Sequence, residues 1–118
     1  FVSLPDFEGG TVGGSLYGGR GTTGASSNTV NLNHVSVTGG IYGGYTASGD
    51  ASDNTVSLSD GTTFDGDLYA GRVDVNGRGD ATGNKVFLTK VSALGTVYAS
   101  RTPNGLASGT VTLTDSTV

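Results

Sequence analysis

The sequence of 118 residues has no cysteine, no methionine, no tryptophan and only two prolines. Without cysteine, no stability can come from disulfides. Charge is also scarce: charged residues make up 14% of the chain, and the net charge is -4. The four arginines and two lysines are scattered singly along the sequence. That scatter predicts no positive stripe for phosphate contacts and excludes nucleic acid and anionic membrane surfaces as partners. No apolar run approaches the ~20 residues that span a bilayer, so no membrane insertion of this segment is expected. No charged-then-apolar leader follows Phe1, and a start on Phe rather than Met reads as a processed or excised piece. Apolar residues never recur at i, i+3, i+4 and i+7 free of glycine, which excludes helical folds.

Glycine, by contrast, is abundant: 22 of 118 residues, about 19% against a usual ~7%. Ser, Thr and Asn stand where a globular surface normally carries charge. A third of the chain is hydrophobic, and much of it alternates cleanly, so the chain reads as a folded β protein rather than a disordered one. A cysteine-free, acidic chain rich in Gly, Thr, Ser and Asn fits an extracellular bacterial protein that crosses membranes unfolded.

The chain repeats itself. A short apolar-Tyr step recurs at Leu16-Tyr17, Ile41-Tyr42, Leu68-Tyr69 and Val97-Tyr98. A second, alternating strand recurs at Asn28 to Leu32, Asn54 to Leu58, Asn84 to Leu88 and Gly109 to Leu113, with Phe1-Val2-Ser3-Leu4 as one more copy. The expected architecture is therefore all-β, a parallel β-solenoid of about four and a half coils in a single domain. Its repeats run over approximately 1–12 (a half), 13–38, 39–64, 65–94 and 95–118.

Within each coil Val and Leu, two positions apart, point to one side, and the next coil stacks about 4.8 Å away. Val2, Val30, Val56, Val86 and Val111 would form one inner ladder, and Leu4, Leu32, Leu58, Leu88 and Leu113 another. Gly13-Gly14, Gly18-Gly19, Gly39-Gly40 and Gly43-Gly44 flank the Tyr strand, where corners through positive φ are expected. Asn28, Asn54 and Asn84 take the other corner, because Asn tolerates the left-handed region and its amides can hydrogen-bond in a stacked row. The Asn-to-Tyr interval barely changes, while the Tyr-to-Asn interval absorbs insertions, so the second half should project as a variable loop. A propeller blade needs four strands in about 40 residues, more than this repeat offers. An antiparallel sandwich stays open, because Asn76-Gly77 and Asn104-Gly105 are hairpin-type pairs.

The step Gly39-Gly40-Ile41-Tyr42-Gly43-Gly44, present with one extra residue at Gly13 to Gly19 and followed by a Ser/Gly/Asp/Ala run and N-T-V-x-L, resembles repeats of bacterial autotransporter adhesin passenger domains. The resemblance covers nearly the whole chain and weakens at the end, where Tyr98-Ala99-Ser100 replaces YGG and Gly109 replaces Asn. It implies a right-handed β-helix on the outer surface of a Gram-negative cell. The implied work is adhesion, self-association or biofilm formation, with a C-terminal membrane barrel lying outside this sequence.

Few residues converge on chemistry. Gly19-Arg20-Gly21-Thr22-Thr23-Gly24 matches a dinucleotide-loop spacing, but strand residues rather than a helix follow it. Arg78-Gly79-Asp80 lies in the longest variable loop, Val73 to Gly83, where an Arg-Gly-Asp triplet could meet an integrin; Gly49-Asp50-Ala51 in the preceding repeat is its structural template. Asp74, Asn76 and Asp80 imitate half a calcium loop, whose fifth and closing positions are the cations Arg78 and Lys85. His34, the only histidine, sits on a strand facing solvent. Asp50, Asp53, Asp60, Asp65, Asp67 and Asp74 fall where turns favour Asp, so no catalytic set, metal site or cofactor is expected. Tyr17, Tyr42, Tyr69 and Tyr98 should stack as a ladder, exposed to sugars if it faces solvent. Thr29, Thr55, Thr110 and Thr112 suggest an ice-binding array, interrupted by Lys85 and Phe87.

The expected function is a non-enzymatic structural and adhesive module of an extracellular surface or fibre. Its expected partners are a host or matrix glycan or protein receptor, and other copies through the unpaired strand edges at Phe1 to Leu4 and Thr110 to Val118. The alternative is a carbohydrate-active β-helix enzyme or a glycan-binding module.

Overall fold

Alternating apolar residues without helix periodicity can bury themselves only by sheet stacking, and the computed structural model, which describes residues 7–8, 10–92 and 95–116, has that form. Among the described residues there is no helix, and every strand pairing is parallel. Three walls wind into a solenoid of about four turns. The first holds β1 (Phe7–Glu8), β4 (Thr29–Asn33), β7 (Thr55–Ser59), β10 (Ala81–Thr89) and β12 (Ala107–Thr114) in that spatial order. The second holds β3 (Leu16–Gly21), β6 (Ile41–Thr46), β9 (Leu68–Val73) and β11 (Val97–Arg101). A short third wall holds β2 (Thr11–Val12), β5 (Ser36–Val37) and β8 (Thr63–Phe64). Parallel pairing throughout removes the antiparallel sandwich.

The inner ladders form as expected through the middle coils. Val30 pairs with Val56 and Val56 with Val86, as Leu32 does with Leu58 and Leu58 with Leu88, and all six are buried. Val35, Val37, Phe64 and Val91, together with Leu16, Ile41 and Leu68, close the core. Val111 and Leu113 keep the register but are 42% and 45% exposed, since β12 lies at the edge of its sheet. The expected rungs Val2 and Leu4 lie outside the described residues; the position opposite Leu32 is taken by Phe7.

The corners differ from expectation in an instructive way. Left-handed backbone falls on Ser27 (φ 61°), Asp53 (φ 57°) and Gly83 (φ 67°), one residue before each Asn. The Asn side chains instead point inward and are buried. Asn28 donates from its backbone N–H and its Nδ2 to Asn54 Oδ1, both at 3.0 Å. Asn54 repeats the pattern onto Asn84 Oδ1 at 2.9 and 3.1 Å, and its Nδ2 also donates to the Ala25 carbonyl at 3.0 Å. Buried amides are tolerated because each finds partners in the next coil.

Gly14 takes positive φ (128°) as expected, but the Asn ladder corrects the reading of the pairs that follow the tyrosines. Gly18, Gly19, Gly43 and Gly44 lie inside β3 and β6 with no left-handed φ. What they supply is the missing side chain: a Cβ at Gly44 would stand 2.6 Å from Asn54 Nδ2. The carboxamide of one wall fills the notch left by glycine in the other. At the last coil Ser100 takes this place and accepts from Asn84 Nδ2 at 2.7 Å. His34 is likewise not a strand residue. It holds the second left-handed corner (φ 55°), in series with Asp60, Lys90 and Asp115, and its Nδ1 lies 3.1 Å from the Asp60 carbonyl.

The variable loops stack as well as project. Gly49 N donates to Arg78 O at 2.7 Å, Ala51 N to Asp80 O at 2.9 Å and Ala81 N to Leu106 O at 2.8 Å. Insertions therefore lengthen a loop without freeing it from its neighbours.

Candidate functional site: the tyrosine and arginine wall

Parallel in-register pairing sets each position over its equivalent in the next coil, so residues facing away from the core on the second wall form columns along the solenoid. Tyr17 pairs with Tyr42, Tyr42 with Tyr69 and Tyr69 with Tyr98. Their rings stack with centroids 4.7, 5.2 and 4.7 Å apart and planes within 10°. The expected ladder exists, but its faces are turned on one another. Tyr17, Tyr42 and Tyr98 are half-buried and Tyr69 is only 3% exposed. The rings present edges and hydroxyls outward rather than an open platform for sugar stacking.

Three residues after each ladder tyrosine comes a second column, Arg20, Tyr45, Arg72 and Arg101, also in register. Sequence reasoning missed it, although the spacing Tyr-x-x-Arg or Tyr-x-x-Tyr is present in all four coils. It also overturns the expectation of no positive stripe. Residues far apart in sequence are one strand spacing apart in a solenoid, so three of the four arginines share one face. Each guanidinium lies against rings: Arg20 is 5.0 Å from the Tyr17 centroid and 5.5 Å from Tyr45, Arg72 is 4.8 Å from Tyr69, and Arg101 is 5.4 Å from Tyr98. Tyr45 meets Tyr17 and Tyr42 edge-on. Such contacts contribute ~0.5–1 kcal/mol each at exposed sites and hold a mobile side chain in place.

Among the described residues the partners of these arginines are rings and the Tyr69 hydroxyl, to which Arg101 Nη1 donates at 3.4 Å, rather than carboxylates. Arg72 Nε is buried and has no hydrogen-bond partner among the described residues. Two carboxylates flank the columns and both are engaged. Asp67 accepts from Thr96 N at 3.0 Å, and Asp74 accepts from Val75 N at 2.7 Å and from the Tyr45 hydroxyl. Burial, and then the bond to Asp74, raise the Tyr45 pKa above the ordinary value; Arg72 and Arg20 oppose the shift. Burial likewise raises that of Tyr69, against the pull of Arg101 and Arg72.

The other sequence candidates are placed elsewhere. Arg78, Gly79 and Asp80 lie in the stacked loop, with Arg78 exposed and Gly79 and Asp80 half-buried. Asp80 Oδ1 accepts from Leu106 N at 3.0 Å, as Asp50 Oδ1 accepts from Asp80 N at 2.9 Å. The triplet therefore copies the Asp50 staple, one coil on. The dinucleotide-like glycines run through β3 into a bend, with no helix behind them. Among the described residues no three His, Asp or Glu side chains gather around a common point that could hold a metal. No protein-family model, curated protein or solved structure matches the chain.

Proposed function

We propose that the chain is a non-enzymatic structural and adhesive module of an extracellular surface or fibre-forming protein, with the tyrosine and arginine wall as its contact face. The observation that supports this most is the pairing of a hydrogen-bonded, in-register scaffold with one outward face whose cations lie on rings and, among the described residues, have no carboxylate partner. Contact residues held by packing lose little freedom on binding. The carboxylates, by comparison, serve as coil-to-coil staples at Asp50, Asp67 and Asp80. The repeat pattern and cysteine-free composition support placement on the outer surface of a Gram-negative cell. Exposed β12, with Val111 and Leu113 nearly half exposed and Leu106 just before it at 71%, supports association through the coil ends.

The test is adhesion of beads coated with the protein to matrix- and cell-coated surfaces, run beside product analysis on polysaccharide substrates. Retention of the beads with no product release is expected. Catalytic turnover, or beads that neither adhere nor clump, would overturn the reading.

A further inference from the structure

We infer that the column Arg20, Tyr45, Arg72 and Arg101 is a binding strip for a linear anionic polysaccharide, one carrying sulfate or carboxylate groups, laid along the solenoid axis. The inference rests on the contact face proposed above and names its ligand.

The strip has a defined pitch. Neighbouring coils are one strand spacing apart, ~4.8 Å, and the register places Arg20 opposite Tyr45, Tyr45 opposite Arg72, and Arg72 opposite Arg101. The guanidinium-bearing positions thus stand two spacings and then one spacing apart. One pyranose residue advances an extended glycan by a similar length, so successive or alternate acidic sugars fall in step with the arginines. The chemistry also matches. A guanidinium is weakly hydrated and presents a planar fork to two oxygens of a sulfate or carboxylate. Here each fork is laid on a ring and, among the described residues, none is neutralised by Asp or Glu.

The neighbouring column supplies the rest of a sugar site. Half-buried Tyr17, Tyr42 and Tyr98 show edges and hydroxyls, which suit the hydroxyls and ring oxygens of a glycan. The protein is acidic overall, at -4. A stiff duplex wide enough to pass over the flanking Asp67 and Asp74 meets repulsion that a single glycan chain confined to the strip avoids. Charge makes the interaction salt-sensitive, with a slope of about one unit of log affinity per log salt for each guanidinium engaged.

The experiment is retention of the whole chain on immobilised dextran sulfate and polygalacturonate, with neutral dextran and duplex DNA as further surfaces, at increasing salt. Retention on one or both acidic glycans, a slope of about three and none on neutral dextran are expected. Arg72→Gln and Arg101→Gln should each weaken binding about 10–150-fold, by the usual worth of a charge-assisted contact. Arg78→Gln, which alters the arginine in the loop, should leave it unchanged, and the melting temperature of every variant reports its fold. Equal loss with Arg78→Gln, retention on neutral dextran, tighter binding to DNA at matched charge, or no retention on either acidic glycan would each overturn the strip. Beads that still adhere while acidic glycans are not retained would sink this inference alone. Beads that do not adhere would sink the contact face itself.

Discussion

The two large walls are built on the same in-register stacking and differ in what they turn outward. On the first wall the outward columns are Thr29, Thr55, Lys85 and Thr110, then Asn31, Ser57, Phe87 and Thr112. These are short and mostly neutral side chains, and Lys85 and Phe87 break both rows. On the second wall the outward columns are long, aromatic and cationic without interruption over four coils. Stacking alone does not require that difference, since the first wall packs with hydroxyls. The ladder of tyrosines contributes stability, ~0.5–1.5 kcal/mol for each stacked pair, and the arginines laid on its rings add ~0.5–1 kcal/mol each.

The contrast can be broken at several points. The largest effect is expected where the walls interlock. Asn54→Leu leaves the Asn28 N–H and the Ala25 carbonyl without their buried partner, at ~1–3 kcal/mol for each orphaned group. Denaturant unfolding should read a loss of about 2–6 kcal/mol. Next, Tyr42→Ala removes two ring stacks, so unfolding should show a loss of about 1–3 kcal/mol. Ser57→Ala, at an outward place on the first wall, should change stability by less than ~0.5 kcal/mol. A Ser57 effect as large as that of Tyr42 would erase the distinction between the walls.

The smallest effect is on pH dependence. Tyr45 and Tyr69 have raised pKa values in the fold, so the folded chain holds those protons more tightly than the unfolded chain. Their contribution is fully present below the unfolded tyrosine value near pH ~10 and is lost as pH rises through the folded values. Melting temperature should be flat up to about pH 10 and fall above it, and less steeply in Tyr45→Phe.

Much of the fold was legible from the repeat. Val30, Val56, Val86 and their leucine partners announce a stacked inner face, and the recurring Asn28, Asn54 and Asn84 announce a hydrogen-bonded row. The role of the glycines was not, because a sequence shows that Gly44 lacks a side chain but not that Asn54 fills the space from another wall. The corner position slipped by one residue for a related reason: Ser27 and Asp53 take the left-handed backbone so that the Asn can point inward. The third wall was foreshadowed only by scattered Val37 and Phe64, too short to show alternation. The arginine column was hidden by reading charge along the chain. Counted from each ladder tyrosine, the i+3 positions read Arg20, Tyr45, Arg72, Arg101, and the strip appears. Arg78 drew notice by its tripeptide, yet its neighbour Asp80 is a staple to Leu106.

The most direct test of the contact face is a wall-by-wall comparison of adhesion under one flow. Beads carry the parent chain, a second-wall variant with Arg20→Gln, Arg72→Gln and Arg101→Gln, or a first-wall variant with Thr55→Ala and Ser57→Ala. Parent and first-wall beads should be retained alike and second-wall beads should wash away, with all three proteins folded at the assay temperature by circular dichroism and the second-wall variant melting lowest for its lost ring contacts. Equal retention of the second-wall beads, or loss confined to the first-wall beads, would contradict the account.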